Sequence, residues 1–124
     1  MTAGREKVAA DPATARFSFV DLVMQLLDEK RAEDIVWLDI SEVTSLADDF
    51  VIATVLNPRQ ADAVVGALEK ERKKRDLPRL GIDGRGSSGW VVLDYGDLIV
   101  HVMTADQREY YGLEYLWSDA KRVR

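Results

Sequence analysis

The residue types best able to do chemistry gather in one short stretch, Trp90-Val-Val-Leu-Asp94-Tyr95-Gly96-Asp97-Leu-Ile-Val-His101. It brings together an indole, a phenol, two carboxylates and the only histidine of the chain. Asp94 and Asp97, with Asp83 as a third carboxylate, could hold Mg²⁺ for nucleotidyl or phosphoryl transfer. Trp90 and Tyr95, with polar neighbours to fix register, could instead anchor a protein partner, because aromatic side chains carry much of the binding energy at interfaces. A third reading is purely structural: Trp90 covers the sheet, His101 bonds a neighbour, and both aspartates build a turn.

Other chemistries are excluded by what is missing. Without cysteine there is no disulfide framework, thiolate nucleophile or cysteine-ligated zinc, and one histidine cannot build a site that needs two imidazoles. The glycine-rich Gly81-Ile-Asp-Gly-Arg-Gly-Ser-Ser-Gly lacks the Lys-Ser/Thr ending of a phosphate loop and does not lie between a strand and a helix. A Gly-Ser motif followed by Asp-x-Asp, typical of nucleotidyltransferases, is absent, and no serine sits in a recognisable triad motif. The net charge of -5 argues against broad binding to phosphate backbones and favours a protein partner. The basic run Lys70–Arg75 is the one exception, either a minor contact to RNA or a solvated helix end that complements the helix dipole.

The elements that must position these groups follow from periodicity. The length of 124 residues suits a single core. Phe19, Leu22, Val23, Leu26 and Leu27 recur at helical spacing, so a first helix is expected over roughly 18–30, with Ser18 and Asp21 as its capping box. The apolar runs Ile35–Ile40 and Phe50–Val55 predict strands buried on both faces. Asn57-Pro58-Arg59-Gln60 opens a second helix that ends near Arg75, before Leu77-Pro78. A short strand at Arg79–Ile82, a loop through Gly89, strands Trp90–Leu93 and Leu98–Met103, and a last helix signalled by Thr104 and Gln107 complete the order. This is an α/β domain with a mixed sheet of about five strands flanked by helices.

In the last pair of strands, Gly96 supplies a positive φ, and a two-residue loop at Tyr95-Gly96 would set Trp90 across from His101. Trp90, Val92, Asp94, Asp97, Ile99 and His101 then share one face, and Val91, Leu93, Leu98, Val100 and Val102 share the core face. In the last helix, Tyr110, Leu113 and Trp117 fall on one side as core or as a subunit contact, which leaves Arg108 and Glu109 as more exposed candidates. Residues 1–15 read as a disordered extension without a secretory signal, 16–120 as the single domain and 121–124 as a tail. A cytoplasmic location is the default.

Several segments carry a family resemblance. Asp34-Ile-Val-Trp-Leu-Asp-Ile, Asp49-Phe-Val-Ile-Ala-Thr, Arg59-Gln60, Gly89-Trp-Val-Val-Leu-Asp-Tyr-Gly-Asp-Leu-Ile-Val-His-Val-Met and Arg108-Glu-Tyr-Tyr-Gly-Leu-Glu-Tyr-Leu-Trp-Ser-Asp-Ala together resemble the Iojap-related ribosome silencing factor family, from about Phe17 to Ala120. The resemblance implies a nucleotidyltransferase-like fold without the active-site motif, no cofactor, no catalysis and a homodimer. It further implies binding to large-subunit ribosomal protein fourteen on the intersubunit face of the large ribosomal subunit. Small-subunit joining would thereby be blocked sterically and translation lowered when nutrients are scarce. Carried over position by position, the partner-binding residues are Trp90, Asp94, Tyr95, His101 and Arg108. Val55 and Asn57 stand where the family commonly has Gly and Ser, and Asp83 where a Glu before Gly is common. Those departures put the loop geometry and the role of Asp83 in question, while the Trp90–His101 segment keeps the family pattern.

Overall fold

A computed structural model describes residues 12–124 as one sheet with two long helices against one of its faces. Helix α1 spans Pro12–Glu29, strand β1 Glu33–Asp39, β2 Asp49–Val55, and helix α2 Pro58–Lys74. Strand β3 (Gly81–Asp83), a 3₁₀ turn (Gly86–Ser88), β4 (Trp90–Asp94) and β5 (Leu98–Thr104) follow. Two short helices, α3 (Ala105–Tyr111) and α4 (Leu113–Leu116), lead to β6 (Lys121–Arg122). The sheet order is β3-β4-β5-β2-β1-β6; β2 and β5 run parallel, and every other neighbouring pair is antiparallel.

The mixed sheet is the one expected, with six strands instead of about five. The sixth comes from residues expected to be a tail: Lys121 and Arg122 pair with Asp39 and Leu38, and the backbone of Arg124 bonds that of Trp37. At the other end, α1 starts at Pro12, so Ser18 lies within the helix and does not cap it. The expected extension lies outside the described residues as far as residue 11. Helix α2 opens as its sequence predicts, with Pro58 in the first turn and the Asn57 side chain accepting the Gln60 N–H at 2.8 Å. The Gln60 amide reaches back to the carbonyls of Lys30 and Arg31 at 3.0 and 2.9 Å, which pins the end of α1 to the start of α2.

The central strand β2 is buried along its whole length, as its unbroken apolar run requires. Val51, Ala53 and Val55 face α1 and α2, where Val23 and Leu27 of α1 and Ala61, Val64 and Leu68 of α2 complete the larger core. Phe50 and Ile52 face the other way, into a second core with Val36, Leu38, Ile99 and Met103. Among the described residues no long helix covers that second face. Leu113, Trp117 and Ala120, from α4 and the segment after it, close part of it, and Trp90 and Val92 lie at its margin.

The β4–β5 turn differs from expectation. The Tyr95 N–H donates to the Leu98 carbonyl at 2.9 Å, so the two-residue turn is Gly96-Asp97 and Gly96 occupies its first position at φ 90°. Glycine at the first of two turn residues suits a mirror-image turn that follows the twist of the strands. The Asp94 carboxylate supports this turn by accepting the Gly96 N–H at 2.9 Å. Pairing therefore moves by one residue on each arm: Trp90 lies across from Met103, Val92 from His101 and Asp94 from Ile99. Both arms move in step, so Trp90, Val92, Asp94, Ile99 and His101 keep their shared face, while Asp97 leaves it for the turn.

Candidate functional site

Trp90 is the centre of a small aromatic surface at the margin of the less covered face of the sheet. Its indole N–H donates to Nδ1 of His101 at 3.2 Å, and its ring lies 4.6 Å from that of Tyr111 at an interplanar angle of 47°. Tyr110 meets Tyr111 edge-on at 5.0 Å. Because an indole N–H can only donate, Nδ1 of His101 accepts, and the proton of the neutral imidazole sits on Nε2. That Nε2 is buried and has no hydrogen-bond partner among the described residues. Beside it the Phe50 ring stands edge-on at 4.9 Å and in turn contacts Trp117 at 5.2 Å. Burial in this aromatic setting pushes His101 down to about 4. At neutral pH it is an uncharged acceptor that fixes one edge of Trp90.

Tyr95, expected as a second anchor, is placed on the opposite side. Only 6% of it is exposed, within the core formed with the long helices. Its ring packs edge-on to Phe19 at 5.7 Å and its hydroxyl donates to Glu69 of α2 at 2.8 Å. Burial and the Glu69 carboxylate both raise the phenol above its ordinary range. Burial alone would raise Glu69, but the hydrogen bonds from Tyr95 and Arg79 and the charge of Arg72 hold it below the usual value. The basic run at the end of α2 is partly spent on this scaffold: Arg72 bonds Glu69 and the Leu77 carbonyl, and Arg75 pairs with Glu71.

Arg108 is not the exposed candidate its position suggested. Its side chain is 10% exposed and paired with Glu114 through two hydrogen bonds of 2.7 and 3.0 Å. It also donates to the Asp34 carbonyl at 2.6 Å and the Thr54 hydroxyl at 2.8 Å. It thus joins α3 and α4 to β1 and β2, and it satisfies the carbonyl at the irregular step between Glu33 and Val36, where Asp34 has φ 48°. The arginine holds Glu114 below the ordinary carboxylate range. The expected single last helix is broken at Gly112, which closes α3 with φ 55°. The break separates Tyr110, 78% exposed, from the buried Leu113, so those two do not share one face.

The three aspartates weighed for a metal do not assemble. Asp94 is engaged by the turn, Asp97 is exposed and uses its backbone carbonyl to accept the N–H groups of Asp48 and Asp49, and Asp83 ends strand β3 opposite Val92. No group of three metal-ligating side chains comes together among the described residues. Asp83 does share an open hollow of about 300 Å³ with Trp90, Val92, Gln107 and Tyr111. Sequence reasoning missed Gln107 and Tyr111 as neighbours of Trp90. Thr104, whose hydroxyl accepts the Gln107 N–H, and Gly112 bracket a two-turn helix, and that bracket was the available signal.

Comparison with known proteins agrees with this architecture. Residues 12–124 match the family model described as ribosomal silencing factor during starvation. The chain is 37% identical over 101 residues to the ribosomal silencing factor RsfS of Haemophilus influenzae, covering 82% of this chain and 99% of that one. It is 26% identical to the chloroplastic protein Iojap of Zea mays, over 94% of this chain and 50% of that one. A crystal structure of a protein from Chromobacterium violaceum superposes with a TM-score of 0.78 at 33% identity, covering 82% of this chain and 85% of that one. A family-model match that spans every described residue, with 37% identity across almost the full length of the Haemophilus protein, makes this chain a member of the ribosomal silencing factor family.

Proposed function

We propose that the chain binds the large ribosomal subunit through large-subunit ribosomal protein fourteen and acts by steric occlusion, without catalysis. Occupying that site keeps the small subunit from joining and lowers translation when nutrients are limiting. The observation that carries this reading is Trp90: a large aromatic, half-buried at the sheet margin, locked by His101 on one side and packed on the exposed Tyr111 on the other. A pre-positioned aromatic of this kind loses little side-chain freedom on docking. Asp94 holds the β4–β5 turn at the opposite end of the hairpin from Trp90, and Arg108 holds α3, which carries Tyr111, against β1 and β2. His101 and Tyr95 act from within the fold, on opposite faces of the sheet.

The docked state is a cytoplasmic one. No helix among the described residues is long and apolar enough to cross a membrane. A second copy of the chain covers the apolar side chains left open after Gly112, with Tyr115 at 85% and Leu116 at 69% exposure. Sedimentation equilibrium of the wild type against Leu116→Glu reads that association. Lys70, Lys73 and Lys74, exposed on the last turns of α2, give at most a minor contact to ribosomal RNA. Docking is tested by co-sedimentation with purified large subunits, in which Trp90→Ala is expected to weaken binding while the fold survives. Undiminished co-sedimentation of that variant would remove Trp90 from the interface.

A further inference from the structure

We propose that the hollow between Trp90, Tyr111 and Asp83 receives a basic side chain, arginine before lysine, projected by the docking partner. This deepens the docking reading and rests on it for the identity of the partner. The chemistry of the hollow does not depend on that identity. Trp90 and Tyr111 supply two aromatic rings 4.6 Å apart and tilted by 47°, Val92 adds an apolar wall, and the hollow of about 300 Å³ is open to the outside. A guanidinium is attracted to the face of an indole or phenol, and its methylene stem favours apolar walls. The Asp83 side chain is exposed at the rim, and its carboxylate makes no ion pair or hydrogen bond among the described residues. Gln107 can accept an N–H through its amide oxygen.

No cation among the described residues fills the place. Arg108, on the adjoining helix, is tied to Glu114, Thr54 and the Asp34 carbonyl. Arg85 lines the neighbouring cavity with Asp62 on α2. The same trio of groups is already used once elsewhere in the molecule. Arg124 lies 5.2 Å from the centre of the Trp37 ring and pairs with the carboxylate of Asp21, an indole, an arginine and an aspartate together. At Trp90 the indole and the aspartate are present, and the arginine is the missing third member. A net charge of -5 also favours the approach of a basic partner.

The test has two arms on the full chain. In the first, the Trp90 indole N–H resonance is followed by NMR during titration with N-acetyl-argininamide, N-acetyl-lysinamide and the neutral N-acetyl-glutaminamide. A saturable shift is expected with the arginine amide, a weaker one with the lysine amide and none with the glutamine amide, and Asp83→Asn should abolish the response. In the second, affinity for purified large subunits should fall roughly tenfold in Asp83→Lys and severalfold in Asp83→Asn, with a shallower dependence on salt. No saturable shift at Trp90, or an Asp83→Asn titration identical to wild type, overturns the proposal. If subunits bind and Trp90→Ala releases them while Asp83→Lys binds like wild type, docking stands and the basic side chain is refuted. If the amide titration behaves as expected but the wild type does not bind large subunits, the hollow stands and the ribosomal partner falls.

Discussion

Lowering the pH should unfold this protein earlier than its carboxylates would. His101 is buried, its Nδ1 is occupied by the Trp90 indole, and burial pushes its pKa to about 4 from an ordinary value of 6.5. The unfolded chain therefore takes up a proton on His101 before the folded one does, so the unfolded state holds more protons between pH 6.5 and 4. Stability rises with pH wherever that is so, which means the contribution is intact above 6.5 and is lost as pH falls toward 4. A tenfold difference in proton affinity between the two states corresponds to about 1.36 kcal/mol, so the full loss is about 3 kcal/mol, and about 2 kcal/mol is gone at about pH 5. Glu69 and Glu114, whose pKa values are lowered from 4.5, lose their contributions only as pH falls through and below that value, so the window from about 6.5 to 5 belongs to His101. Urea unfolding followed at about pH 7, 6 and 5 measures the loss directly. His101→Gln keeps an acceptor for Trp90 without a titrating ring and should flatten the dependence in that window. A wild-type stability that does not change across the window, or a His101→Gln profile with the wild-type slope, would refute the reasoning.

Two further perturbations probe the scaffold that holds the surface. Arg108→Lys keeps the charge but loses the planar fork that reaches Glu114, Thr54 and the Asp34 carbonyl together, so urea unfolding should show a loss of about 2 kcal/mol despite the conservative change. Gly86 touches the start of α2, where a Cβ would lie 2.8 Å from the Pro58 carbonyl and 2.7 Å from the Asp62 carboxylate. Gly86→Ala should therefore cost about 1–3 kcal/mol in thermal unfolding, although no side-chain contact is removed.

How much of this was legible in the sequence differs from element to element. The unbroken apolar run of β2, the Asn57-Pro58 helix start and the Thr104 cap act over a few residues, and each is readable from spacing alone. The faces of the hairpin are also readable, because alternation survives a shift that moves both arms in step. The register is not, because Gly96 can serve at either central position of a turn and only the bond from Tyr95 to Leu98 selects one. Tyr95 illustrates the wider limit. An aromatic beside a turn looks like an exposed anchor until Glu69, 26 positions away on α2, draws its hydroxyl to the helical side of the sheet. The burial of Arg108 is hidden for the same reason, since Asp34 lies 74 positions away. Contacts between elements distant in sequence decide burial, and burial separates residues that present the surface from residues that hold it.

Under the proposed function, Trp90 is the anchor by which the chain docks on the large ribosomal subunit. Quantitative sedimentation of folded wild type and Trp90→Ala with purified large subunits tests it most directly. Loss of an interface aromatic of this kind is worth about 2 kcal/mol or more, so the affinity of the variant should fall roughly 30-fold, with its circular dichroism spectrum unchanged. Equal affinities of the two folded proteins for the large subunit would contradict the claim.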